Sequence, residues 1–430
     1  MSTRTSIPIP VSQSQSGVRW YGVSVTLLVI WIISMMDKVT IGIFIADKSF
    51  LSAIGILGKP GLAGLLVSSF LVSYGVATFV WGFIVDKYGA KSCLIVSTVI
   101  WGILEIAQGL AHSSTELYIL RAIMGVSEAS IWPASMVMTA KWFPLKERAR
   151  ANSIWLNGIN IGPVVGILFV TIMIVHHGWR LAFIVAGILQ LVLSTVMLLF
   201  LTAETPEKHK WISQSERNYI SESKATDGRM EGSIKVQQRT IGQVLSDYKW
   251  WFVLIIWTFD TIVYYTVTTW FASYMNKVRH LSLQNAGLVN SLSFVVAVIF
   301  MLVAGYVADR LMRRAPVGVV GYVLAGFTLL FAIHASTATG AVIWFALTMA
   351  LKNSGSIATT TMFHNNAPAL SLGGITGLQQ GPTNLVTAFG PYLFGLVIFL
   401  SGGFNTGLYG IVGLLLICAT FSLILALKGE

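Results

Sequence analysis

Four ionisable residues stand in stretches of sequence that are otherwise built for lipid: Asp37 and Lys38 within SMMDKVTIGIF, and Arg121 and Glu128 further along the chain. A charge at membrane depth costs about 2.5–3.5 kcal/mol on insertion scales unless it is paired or faces water. A chain that keeps both signs there is expected to handle an ion, a charged substrate, or both. Seven positions separate Arg121 from Glu128, which sets them on one helix face about 10 Å apart along the axis. An arginine grips a carboxylate through two parallel charge-assisted bonds. Burial disfavours the charged form of a glutamate, so such a residue can take up a proton. Together the two could couple anion binding to proton binding; the competing reading is that each neutralises a partner on another helix. Asp37 and Lys38 point about 100° apart on a helix, so they need not pair with each other. Asp37 is a candidate proton carrier, or one half of a structural ion pair, for example with Arg121.

Membrane helices must position these groups. Hydrophobic residues make up 55% of the 430, charged residues 10%, and mean hydropathy is +0.75, whereas soluble chains carry about 25% charged residues. Apolar stretches of a length that crosses hydrocarbon recur throughout. The expected spans are 19–46, 61–85, 92–111, 116–140, 151–176, 179–202, 249–275, 285–308, 317–335, 339–366, 371–399 and 404–427. The net charge of +11 would suit nucleic acid, but its distribution excludes that partner. Only Lys48, Lys59, Arg180, Lys277 and Arg279 fall in loops of one side, and most other basic residues fall on the side of both termini. That asymmetry predicts cytoplasmic termini. Cys93 and Cys418 have no disulfide or metal spacing, and the scattered His176, His177, His334 and His364 give no metal site. No cofactor is expected. The lack of a phosphate-cradling loop or nucleophile motif argues against an enzyme or a primary pump.

The predicted organisation is an N-terminal tail (1–18), a six-helix bundle (19–202), a polar cytoplasmic linker (203–248) and a second six-helix bundle (249–430). Within the linker, Ser213 to Ala225 is a candidate amphipathic surface helix. A motif repeats at the same place in both halves. After the second span comes Gly82-Phe-Ile-Val-Asp86-Lys87-Tyr-Gly89-Ala-Lys91, and after the eighth Gly305-Tyr-Val-Ala-Asp309-Arg310, followed by Arg313 and Arg314. The glycine would let helices approach closely, and the aspartate would pair with a base or cap a helix N-terminus. Duplicated halves of this kind point to an alternating-access carrier.

The Gly82–Lys91 stretch resembles the hallmark loop of the major facilitator superfamily. The segment RAIMGVSEASIWPASMVMTAKWFPLKERAR, from Arg121 to Arg150, looks like the fourth-span signature of its anion:cation symporter family, which includes sugar-acid and aromatic-acid permeases and vesicular glutamate and sialic acid carriers. Gly178-Trp179-Arg180 with Phe183, and Gly377-Leu-Gln379 with Asn384 and Pro391, extend the likeness over nearly the whole chain. The resemblance implies an all-α fold of two pseudo-symmetric six-helix bundles with a central site. It implies substrate contact for Arg121, proton coupling for Glu128, and polar substrate contacts at Gln379 and Asn384. Lys38 departs from the family's usual Asp-Arg: it keeps the charge but loses the planar fork, leaving a point charge for the anion.

The second half carries its own charges, Asp260 and Lys352. They form a mutual ion pair in one reading; in the other, Lys352 is a second anchor for the substrate and Asp260 tunes it. Tyr74, Tyr264, Tyr265 and Trp270 could stack on or hydrogen-bond to substrate, or serve packing, and Asn157 and Asn160 could reach the cavity. The expected function is proton-coupled uptake of a small organic anion, a carboxylate, by a monomer in a bacterial inner membrane. Sodium symport, anion exchange, uniport and a non-transporting sensor are the alternatives.

Overall fold

The computed structural model describes residues 17–233, 241–311, 315–366 and 372–428. Every regular element among them is a helix. Among the described residues ten helices are long and apolar enough to cross a membrane, beginning with Arg19–Ala46, Pro60–Tyr88, Ala90–Leu110, Leu145–His177 and Trp179–Leu201 before the linker. Beyond it come Tyr248–Lys277, Leu283–Phe300 (within the helix Leu283–Leu311), Ala315–His334, Gln379–Ser401 and Asn405–Leu427. The expected fourth and tenth spans are helical too, at Ser114–Glu128 with Ile131–Trp142, and at Ala338–Asn366. The fourth is split into helices of 15 and 12 residues and carries Glu116, Arg121 and Glu128, and the tenth carries Lys352-Asn353-Ser354, so neither is both as long and as apolar as the other ten.

Local chemistry ends these helices where it should. Gly89, at φ +93°, and Gly178, at φ +85°, turn the chain between successive spans, a conformation that an L side chain rarely adopts. Asp47, Ser113 and Asp247 accept backbone N–H groups at helix starts, supplying the caps that helix N-termini lack. The fourth span was expected to run unbroken over 116–140, but it stops after Glu128 and resumes at Ile131. Pro133 accounts for the interruption, since its ring lacks the N–H and clashes with the carbonyl four residues earlier, at Ala129.

The first and fifth spans pack with backbone nearly on backbone. A Cβ at Gly158 would lie 2.9 Å from the Ile32 nitrogen, and one at Gly166 would lie 2.8 Å from the Met36 Cα. Small residues permit such approaches, and close van der Waals packing is what associates helices in lipid. The two halves meet mainly through the ends of spans away from the linker. Gly42 abuts the Thr268 and Thr269 backbone, Gly64 abuts Pro391, and Ser291 Oγ donates to the Val164 carbonyl at 2.8 Å. Ser68 Oγ donates to the Ala388 carbonyl across the same seam.

Candidate functional site

The fourth span lies directly on the second because Gly125 stands between Arg121 and Glu128 on its inner face. A Cβ there would strike the Phe70 carbonyl and the Ser73 hydroxyl. This contact drives both charged side chains into the bundle, where Arg121 is 1% exposed and Glu128 is fully buried. Neither pairs with the other. Arg121 Nη1 donates to Asp37 Oδ1 at 3.1 Å and Oδ2 at 3.4 Å, its Nε to the Leu66 carbonyl at 3.4 Å, and its guanidinium lies 5.1 Å over the Phe70 ring. Lys38 Nζ pairs with Glu128 Oε2 at 2.7 Å and donates to Ser34 Oγ at 2.6 Å. Ser34 in turn donates to Glu128 Oε2 at 2.9 Å. The Lys38 ammonium lies 5.0 Å over the Tyr74 ring, close enough for cation–π attraction.

The adjacent residues Asp37 and Lys38 therefore turn to different partners on the fourth span, and two crossed ion pairs join the first span to it. Two atoms in this network remain buried without a partner, Arg121 Nη2 and Glu128 Oε1. Orphaned buried polar atoms are costly and call for an explanation.

A third carboxyl, Glu105 of the third span, escaped the sequence reading. It is 5% exposed, accepts from Gln108 Nε2 at 3.1 Å, and lines a small cavity together with Asp37, Thr40 and Gln190. Its signal was present, an acid inside the apolar run WGILEIAQGL, but no charge on its own helix face marked it out.

In the second half, Lys352 Nζ pairs with Asp260 Oδ2 at 2.8 Å, the mutual-pair geometry. Ser356 Oγ closes the pair by approaching both Asp260 oxygens, at 2.9 and 3.0 Å. Lys352 lies 5.2 Å over the Tyr264 ring, and the buried Tyr264 hydroxyl has no partner. Tyr265 stands edge-on to Tyr264, ring centroids 5.3 Å apart. Gln379 and Asn384 are buried, and Asn384 Nδ2 is also without a partner. Asn384 sits against Gly75, next to Tyr74, where a glycine Cβ would be 3.2 Å from its own Cβ.

Other expected contacts are placed elsewhere. Asn157 is exposed and its amide donates to the Ser153 carbonyl of its own helix at 2.7 Å. Trp270 is buried among Phe394 and Phe404, with its indole N–H donating to the Pro391 carbonyl at 3.1 Å.

The Gly82–Lys91 loop is built differently from expectation. A Cβ at Gly82 would meet open space, so no close helix approach depends on it. Asp86 is exposed, and the cap on the third span comes from the linker. Glu204 accepts the Ala90 and Lys91 backbone N–H groups, each at 2.9 Å, and pairs with Lys141 at 2.5 Å. Gly89 is required here twice over, for its positive φ and because a Cβ would overlap the Glu204 carboxyl at 2.6 Å. Lys91 Nζ donates to the Thr202 carbonyl at 2.7 Å. The linker helix Gln214–Ser233 is likewise tied to the first bundle. Glu216 pairs with Arg19 at 2.8 Å and Tyr219 donates to Glu147 at 2.7 Å. The partner motif runs in a helix, but the surroundings of Gly305 and the side chains of Asp309 and Arg310 lie outside what is described, as do Arg313 and Arg314 entirely.

Comparison with known proteins adds to this geometry. A family model described as Major Facilitator Superfamily matches residues 26–369 and 280–429. A putative tartrate transporter of Agrobacterium vitis is 28% identical over 420 residues, covering 93% of this chain and 88% of that one. A probable galactarate/D-glucarate transporter of Bacillus subtilis is 24% identical over 401 residues, 88% of each chain. Among solved structures, a bacterial homologue of the human lysosomal transporter Spinster, inward-facing and occupied, superposes with a TM-score of 0.75. That match has 17% identity and covers 95% of this chain and 96% of the other.

Proposed function

Because this chain belongs to the Major Facilitator Superfamily, we propose that it carries a small organic anion, a carboxylate, across the membrane by alternating access, driven by protons. The observation that carries the reading is the crossed pairing in the first bundle. Each cation there is held by a carboxyl, and each pair leaves one polar atom unmatched, Arg121 Nη2 and Glu128 Oε1. A proton on Asp37 would release Arg121 to grip a substrate carboxylate with both arms of its fork. A proton on Glu128 would release Lys38 as a point charge beside it. Loss of the protons on the other side would let the pairs re-form and expel the anion. Names of relatives that carry tartrate and galactarate or glucarate support a polyhydroxy acid as cargo. Tyr74, Tyr265, Gln379 and Asn384 would contact its hydroxyls, while Lys352 stays paired with Asp260.

The chain works as a monomer, with the proton as its driving ion. Both termini face the cytoplasm of a bacterial cell, a placement supported by the basic residues gathered on the side of the linker. The test is uptake of radiolabelled tartrate, galactarate and glucarate into proteoliposomes under an imposed proton gradient. Glu128→Gln is expected to abolish proton-driven accumulation while preserving exchange of labelled for unlabelled anion. Accumulation in Glu128→Gln equal to wild type would remove Glu128 from the coupling. Accumulation that follows a sodium gradient instead would reassign the driving ion.

A further inference from the structure

Around the crossed ion pairs, the first bundle holds more carboxyls than cations. Among the described residues of its spans, Asp37, Glu105 and Glu128 are buried acids, with Lys38 and Arg121 the buried bases between them; the third buried base, Arg19, stands at the start of the first span and is held by Glu147 and Glu216. Lys38 is committed to Glu128 at 2.7 Å and Arg121 to Asp37 at 3.1 Å. The Glu105 hydrogen bond comes from the neutral amide of Gln108, at 3.1 Å. A buried charge without a compensating partner costs several kcal/mol. Asp37 of the first span lines the same cavity as Glu105, and Arg121 and Glu128 of the fourth are the other charges that act on it. The fifth and sixth spans close the cavity with Val170 and Gln190, which bring no charge. Two carboxyls at one confined site avoid mutual repulsion by holding a proton between them.

We propose that Glu105 and Asp37 form a proton-sharing pair, so that Glu105 is a third coupling residue, acting through Asp37 on the grip of Arg121. This rests on the proton-coupled reading above and extends it. At rest the proton sits on Glu105 and Asp37 is the carboxylate that holds Arg121. Transfer breaks the O–H bond on Glu105 and forms one on Asp37. Arg121 then loses its carboxylate partner and is free for an anion, while Glu105 becomes the carboxylate that Gln108 supports. A proton arriving from water restores Glu105. Glu105 touches no substrate in this scheme; it is a positioning residue for the charge on Asp37.

Infrared absorption of the purified protein in lipid, followed through a pH titration, reads the pair without any substrate. Wild type is expected to show the C=O stretch of a buried protonated carboxyl at neutral pH, lost on titration to alkaline pH. Glu105→Gln should remove that band, Glu128→Gln should retain it, and Glu105→Asp should keep it at a shifted frequency. A band undiminished in Glu105→Gln, or no such band in wild type, would overturn the proposal. If Glu105→Gln does not fold, Glu105→Asp decides alone, because an unshifted band there assigns the proton to another residue. A band that behaves as expected in a protein whose uptake ignores proton gradients would uphold the pair and overturn the coupling reading instead.

Discussion

The two bundles bury charge by different rules. Among the described residues of the second, one lysine meets one aspartate, and Ser356 fills both carboxylate oxygens, so the group is closed. In the first, two crossed ion pairs join the first span to the fourth, a third buried acid on the third span lines a cavity with Asp37, and two polar atoms of the pairs stay unmatched. A closed pair behaves as a fixed strut. An open network has more than one nearly equivalent arrangement, which a switching element needs. The same residue chemistry, lysine against carboxylate above a tyrosine ring, thus serves two purposes according to how completely it is satisfied.

The strongest way to break this contrast is to remove each pair one partner at a time and then together. Lys352→Met and Asp260→Leu should each destabilise the protein by about 3–5 kcal/mol, because each leaves a buried charge alone. The double variant should recover most of that loss, read by thermal unfolding in detergent. In the first bundle, Lys38→Met with Glu128→Leu should also recover stability but not uptake. Recovery of uptake by the first-bundle double variant would erase the distinction.

Next in size is the hydroxyl that braces each pair. Ser356→Ala removes the donor to both Asp260 oxygens and should cost roughly 1.5–3 kcal/mol, the worth of a hydrogen bond to a charged group. Transport by that variant should be unchanged at temperatures where it is folded. Ser34→Ala removes the bridge between Lys38 and Glu128, and its main effect should be on the pH dependence of uptake. A Ser356→Ala variant with shifted pH dependence and full stability would place the second bundle in the switch as well.

Much of this was legible in the sequence, and what was hidden follows a pattern. Hydropathy recovers ten of the expected spans among the described residues, since a helix facing lipid has to be apolar along its length, and the expected first span of 19–46 coincides with Arg19–Ala46. Helical spacing put Arg121 and Glu128 on one face. It could not tell that they take different partners, because partner choice depends on how helices far apart in sequence rotate against each other. Glu105 was missed for the same reason: its neighbour Asp37 belongs to another helix. The Pro133 break was visible in the sequence as a residue that lacks the donor a helix needs, yet hydropathy smoothed over it. Glu204 and Glu216 looked like ordinary linker acids, and only folding brings them to Ala90, Lys141 and Arg19.

The smallest expected effect sharpens the comparison most finely. The Tyr264 hydroxyl is buried beside Lys352 with nothing to bond, and an unmatched buried hydroxyl destabilises a fold by about 1–3 kcal/mol. Tyr264→Phe should therefore leave stability unchanged or slightly raised, while its ring still lies under the ammonium. If that hydroxyl is kept for the substrate, the same variant should weaken substrate affinity about fivefold, the equivalent of one hydrogen bond of about 1 kcal/mol. The expected outcome is this split, stability kept and affinity reduced, measured by thermal unfolding beside the concentration dependence of uptake. A Tyr264→Phe variant with both properties unchanged would make the second-bundle pair a strut alone, leaving the anion to the first bundle. A loss of stability would mean that the hydroxyl is bonded within the protein, and the closed pair would then extend to Tyr264.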